Sequence, residues 1–225
     1  MTTRAAVVHW TGDPRRQTTL DSLLAGIPAS RTAVVAAARV ALPSIPCKAI
    51  RVPSPWSSPG ICAVLRWFEQ TGADRLLWVI AGAPVFTADG PARLAGHAAG
   101  HGATLAYADR LDLDAGGATR PHPLIDYQPG SLRDDFDFGP VVALSREGID
   151  GLAQEMERDV PDLEHAGWYH LRLRLAERGP IARLAEPVCA APPEDTRSSG
   201  QRVFDYVAPQ NRAVQGEMER GATAH

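Results

Sequence analysis

The apolar positions fall into short runs separated by polar turns, and the spacing within each run predicts its element. The run "AAVVHW" (5–10), stopped by "TGDP", reads as a buried strand and loop. Leucines at 20, 23 and 24 in "TLDSLLAGI" (19–27) share one helical face. For "RTAVVAAARV" (31–40) periodicity leaves strand and helix open, whereas "CKAIRVP" (47–53) alternates as a strand does. "SPGICAVLRWFEQTGA" (58–73) carries helix signals at both ends: Ser58 suits the N-cap, Pro59 the first turn and Gly72 the stop. "RLLWVIAG" (75–82) predicts a strand, "DGPARLAGHAAGHG" (89–102) a helix, and "TLAYADRLDLD" (104–114) one further strand, acidic at its far end. This alternation predicts an α/β fold, a mostly parallel sheet with covering helices.

The second half is more polar. "AGGATRPHPLIDYQPGS" (115–131) reads as a long loop, of a length that is usually functional inside a compact domain. "PVVALSREGIDGL" predicts a strand entering a helix, "GWYHLRLRLAERG" (167–179) an amphipathic helix, and "PIARLAEPVCA" (180–190) a closing strand. One domain over 1–190 is expected. Residues 191–225, with a helix at 209–221, form a C-terminal tail, laid on the domain or joining subunits of a homo-oligomer.

Composition alters this picture little. With 225 residues, a formal net charge of -3 and a pI near 6.2, the chain can bury a sizeable core and gives no electrostatic reason to expect nucleic acid. No apolar run approaches a membrane span, and the N-terminus lacks the longer apolar core of a signal peptide. Cys47, Cys62 and Cys189 are scattered without CxxC spacing, which suggests neither a disulfide framework nor a zinc site. A cytoplasmic protein is expected.

Candidate chemistry concentrates in "GSLRDDFDFG" (130–139), which crowds Asp134, Asp135 and Asp137 around Phe136 and Phe138. If extended, this stretch puts Asp135 and Asp137 on one face and the phenylalanines on the other. Paired carboxylates serve as a base or grip a hard cation. A turn whose aspartates cap local backbone and pair with Arg133 accounts for the pattern equally well. Asp109 falls where a strand should end, the edge at which open α/β sheets bind ligands. Trp168 and His170 open a helix and make a sugar or base platform, or simply core. Arg197, beside two serines and a glycine, has the donors of a phosphate site.

Several blocks resemble the GT-A-type inverting nucleotide-sugar glycosyltransferases, the superfamily of cellulose- and chitin-synthase-like enzymes. "LAYADRLDLDAGG" is similar to that family's "YsDxdxxdxxG" strand and loop, and "LRLRLAERGPIARLAEPV" to its "DLWLRLAERGxIxxxPxxLY". "HPLIDYQPGSLRDDFDFG" and "EDTRSSGQRVFDYVAPQNRAVQGEME" look like a narrower bacterial subgroup. The resemblance implies a GT-A-like sheet and transfer of a sugar from a nucleotide-diphosphate donor to an acceptor hydroxyl. It further implies a divalent cation (Mn or Mg) held by Asp109, a base at Asp135 or Asp137 beside Asp134, and diphosphate contacts from Thr11, Arg133 and Arg197. Trp168 and His170 would stand on the acceptor side. The family's DxD motif should follow "RLLWVI", where this chain has "AGAPVF", and "WYHL" stands at the place of "DWDL". A non-catalytic GT-A-like module that binds a sugar nucleotide or assists a partner therefore stays open. A nucleotidyltransferase ranks last, because "HWTGDPRRQT" has a single glycine where such enzymes open with a glycine-rich loop.

Overall fold

The computed structural model describes residues 2–42, 44–192 and 212–224. In chain order its elements begin with β1 (Arg4–Trp10), α1 (Arg15–Leu24), β2 (Thr32–Ala37), β3 (Lys48–Val52), α2 (Ser58–Thr71), β4 (Arg75–Val79), β5 (Val85–Phe86) and α3 (Gly90–Gly100). They continue with β6 (Leu105–Ala108), β7 (Arg110–Leu113), β8 (Thr119–His122), β9 (Val141–Ser145), α4 (Arg146–Ile149) and α5 (Leu152–Asp159). The last are α6 (Gly167–Arg178), β10 (Ile181–Leu184), β11 (Cys189–Ala191) and α7 (Arg212–Thr223).

Seven strands form the main sheet in the order β10-β6-β9-β4-β1-β2-β3. Every pairing is parallel except those of β9, which runs antiparallel to both β4 and β6. A sheet buried on both faces needs apolar residues at both parities of its strands. In β1, Ala5 and Val7 enter one core with Ile61, Leu65 and Phe68 of α2 and Leu171 of α6. Ala6, Val8 and Trp10 enter the other with Leu20 of α1 and Leu94 of α3. Each such fully buried large side chain contributes about 1.5–3 kcal/mol.

Several expected elements divide. The strand expected over 104–114 is two, β6 in the main sheet and β7 in a smaller sheet of order β5-β11-β7-β8. They separate at Asp109, whose carboxylate accepts the Leu124 N–H and so turns the chain out of the first ladder. The expected closing strand over 180–190 divides in the same way into β10 and β11. Part of the 115–131 loop is a strand, β8, hairpinned onto β7. Ser57, not Ser58, caps α2, accepting the Gly60 N–H at 3.1 Å, while Gly72 ends that helix at φ 66° as expected. Of the tail, α7 overlaps the helix expected over 209–221 and runs two residues beyond it; its Glu217 accepts the N–H groups of His165 and Ala166 just before α6, at 2.7 and 3.1 Å. Met218 and Ala222 join Leu163, Tyr169 and Leu173 in a third apolar cluster. No helix among the described residues is long and apolar enough to cross a membrane.

Candidate functional site

All parallel strands of the main sheet end on one edge, and β9 begins there. The Ile80 and Ala81 N–H groups, just past β4, both donate to the Pro140 carbonyl, just before β9, at 2.9 and 3.3 Å. This stitches the end of one strand to the entry of its antiparallel neighbour. Beside it lies a shallow cleft whose walls include Gly82, Arg110, Asp137, Gly139 and Pro192. Crevices at this edge are where open α/β sheets take ligands. A roomier hollow of about 150 Å³ lies between α6 and the 127–131 segment, lined by Tyr127, Ser131, Leu173 and Glu177.

The acidic segment reaches the cleft by its last aspartate only. Residues 134–135 form a turn and 136–138 have no ladder partner, so the stretch is not a strand. Asp134 and Asp135 are exposed, and Arg133 pairs with Asp135 at 3.0 and 3.2 Å. Phe136 and Phe138 stand edge-on to Tyr107, with centroids 5.8 and 5.3 Å away, and anchor the segment on β6. Asp137 then faces Arg110: its Oδ2 accepts from Nη1 at 2.8 Å and its Oδ1 from the Gly139 N–H at 2.7 Å. Positive φ at Gly139 (70°) lets the chain turn from that bond into β9.

Arg110 gathers a further group. Strand alternation puts Arg110 and Asp112 on one face of β7, and pairing sets His122 of β8 directly opposite Arg110. Arg110 Nε lies 3.3 Å from Asp112 Oδ1, and His122 Nδ1 lies 2.8 Å from Asp112 Oδ2. Burial pushes the Asp112 carboxyl up, but the hydrogen bond and charge of His122, with the charge of Arg110, hold it below its ordinary value. The crowding of carboxylates in this region is thus answered by an arginine. Neither Arg110 nor His122 was expected from the sequence; the signal for both was the alternation "ADRLDLD" facing a short strand ending in histidine.

Asp109 has a separate partner. Arg183 of β10 grips it with Nε at 2.8 Å and Nη2 at 3.1 Å and reaches Asp126 with Nη1 at 2.9 Å. Burial raises the Asp109 carboxyl, yet these bonds and the Leu124 N–H outweigh it and leave it below the usual value. Both Asp109 oxygens are taken by protein donors, and among the described residues no group of three His, Cys, Asp or Glu is placed to hold a metal ion. The residues present do not make the cation site expected of Asp109.

Of the remaining candidates, Thr11 is exposed in the loop after β1. Trp168 is half-buried, edge-on to Trp56, Trp78 and Phe138 at centroid distances of 6.3, 5.6 and 6.5 Å. That aromatic cluster lies under the acidic segment and extends through Trp56 to His9, 4.6 Å away at the end of β1. His170 is fully buried, with Nδ1 3.0 Å from the Gly221 carbonyl, and belongs to the contact between α6 and α7. Arg197 lies outside the described residues. The acidic segment is held from behind by α6: the Tyr169 hydroxyl donates to the Leu132 carbonyl at 2.9 Å, and the buried Arg172 guanidinium donates to the carbonyls of Ser131, at 3.2 Å, and Arg133.

No known family matches the sequence, and no curated protein does. Solved structures do resemble the fold. The crystal structure of S. aureus TarS 1-349 in complex with UDP superposes with a TM-score of 0.58 at 11% identity, covering 100% of this chain and 65% of that one. The complex of the same protein with UDP-GlcNAc gives 0.53 at 12% identity, covering 88% and 60%. A further TarS 1-349 structure gives 0.52 at 12%, covering 85% and 60%. The chain therefore spans 60 to 65% of the length of these TarS structures. Likeness at this identity establishes the fold, which is GT-A-like: a seven-stranded, mostly parallel sheet flanked by helices.

Proposed function

We propose that the chain is a glycosyltransferase that moves a sugar from a nucleotide-diphosphate donor to an acceptor hydroxyl by direct, inverting displacement. The observation that carries this reading is the pairing of Asp137 with Arg110 in a cleft at the carboxyl edge of a GT-A-like sheet. TarS, of that fold, was crystallised with UDP and UDP-GlcNAc, which favours a donor of this class.

In the displacement, the acceptor oxygen bonds to the anomeric carbon while the bond to the diphosphate breaks, its electron pair leaving with the phosphate. The acceptor proton needs a base and the leaving group needs positive charge. Asp137 is the base, since of the three clustered aspartates it is the one that lines the cleft. Arg110 supplies positive charge beside it. Thr11, Arg133 and Arg197 are assigned to the diphosphate and Trp168 to the acceptor side.

A second reading is favoured by one feature: the β4 end reads "AGAP" without a carboxylate, while Asp109 is occupied by Arg183. In that reading the chain is a non-catalytic GT-A-like module that binds a sugar nucleotide or assists a partner. Calorimetry with a panel of sugar nucleotides, with and without manganese, combined with a donor-hydrolysis assay, separates the two. Binding with turnover that Asp137→Asn lowers by about 10²–10⁴-fold supports the transferase. Binding without turnover supports the module.

A further inference from the structure

Asp137 holds both of its oxygens in hydrogen bonds, so a proton placed on it must leave before the next turnover. A proton acceptor stands beside it in His122, whose Nε2 lies 3.9 Å from Asp137 Oδ2. Its other nitrogen, Nδ1, is 2.8 Å from Asp112 Oδ2, a distance at which Nδ1 carries the proton and donates it to the carboxylate. That bond fixes the tautomer and leaves the Nε2 lone pair as the acceptor, the base-and-orienter arrangement of acid–base sites. Arg110 Nη2 is nearly equidistant from the two ring nitrogens, 3.2 Å from Nε2 and 3.5 Å from Nδ1. Such a position is over the ring and not on the axis of the Nε2 lone pair. The side chain is 35% exposed, so water reaches the ring.

We propose that His122, oriented by Asp112, is a second proton-handling residue of the cleft; the inference rests on the transferase reading. The acceptor proton passes to Asp137 Oδ2 and from there, since 3.9 Å is too long for a direct hydrogen bond, through one solvent water to Nε2 of His122, restoring the Asp137 carboxylate. The imidazolium is stabilised by Asp112 on one side and Asp137 on the other, and its proton is lost to solvent. Charged groups facing the ring are Arg110, Asp112 and Asp137, with Asp109 near enough to feel its charge.

The test is donor hydrolysis by the full chain with the sugar-nucleotide panel. His122→Gln retains a hydrogen bond to Asp112 but cannot take a proton, and His122→Ala opens the ring's space to solvent. Both are expected to lower kcat about tenfold or more with donor affinity unchanged by calorimetry. Millimolar imidazole is expected to restore turnover in His122→Ala and not in Asp137→Asn. Unaltered kcat in His122→Gln, or a loss in His122→Ala that imidazole does not restore although the melting temperature is native, overturns the inference and leaves the transferase reading intact. Absence of turnover in the unaltered chain overturns both.

Discussion

Arg183 and Asp109 meet in a two-pronged contact, 2.8 and 3.1 Å, that ties the edge strand β10 to the end of its neighbour β6. The Asp109 carboxyl lies below its ordinary value, so its contribution to stability is present above the carboxylate range and is lost as the pH falls through its lowered titration. Asp109→Ala leaves Arg183 with the exposed Asp126 alone and is expected to cost about 2–4 kcal/mol. Urea unfolding at neutral pH measures the cost, and a loss under about 1 kcal/mol, the worth of a surface pair, would refute a structural role for the contact.

His9 gives a pH dependence in a different window. Burial, then the charge of Arg16, lowers its titration from 6.5 to about 4. Between those values the unfolded chain binds a proton that the folded chain refuses. Stability is therefore full above pH 6.5 and falls toward pH 4, by up to about 1.4 kcal/mol per pH unit. Unfolding midpoints at pH 7 and 5 are expected to differ less in His9→Asn than in the parent chain. An equal difference in both would assign the acid sensitivity elsewhere.

Glu217 fastens α7 to α6. Burial pushes its carboxyl up, but bonds from the His165 and Ala166 N–H groups more than compensate and lower it. Glu217→Ala leaves the buried Ala166 amide and the part-buried His165 amide without their acceptor, at a cost of about 1–3 kcal/mol. Hydrogen exchange is expected to quicken first in α7, with the amides of β1 and β4 unaffected. Protection in α7 equal to that of the parent chain would show that the apolar contacts of Met218 and Ala222 suffice.

Gly167 permits a close approach at the base of the site. A Cβ there would come within 2.6 Å of the Trp56 carbonyl oxygen and 2.8 Å of that of Ser57, both backbone. Its own N–H donates to the Trp56 carbonyl at 2.9 Å. Gly167→Ala is expected to lower stability by about 1–3 kcal/mol and to disturb the contact between Trp56 and Trp168. Thermal melting and tryptophan fluorescence read the two effects; a native spectrum at native stability would contradict the packing described.

The alternation of strand and helix was legible wherever burial alone sets the pattern. β1, β4 and α2 are apolar enough to be read without their neighbours, and Gly72 marks a helix end by its conformation alone. Division of the 104–114 run was hidden, because it depends on the Asp109 carboxylate meeting an amide fifteen residues later. Asp137 was legible only as one of a cluster; that it, and not Asp135, lines the cleft goes with its pairing to Arg110, and His170 is buried against α7, which no local pattern discloses. Nor did any motif announce His122; it enters through the β7–β8 register.

Because β9 alone runs against the sheet, the cleft receives the segment that precedes this strand rather than one that follows it. The polypeptide from β8 to β9 is consequently pinned at two ends, by the β7 hairpin and by the Pro140 carbonyl, and is otherwise external to the ladder. Leu124 and Phe138 of that stretch are core residues, so a change of length that spared them would reshape the wall of the cleft while every rung of the seven-stranded sheet kept its partner.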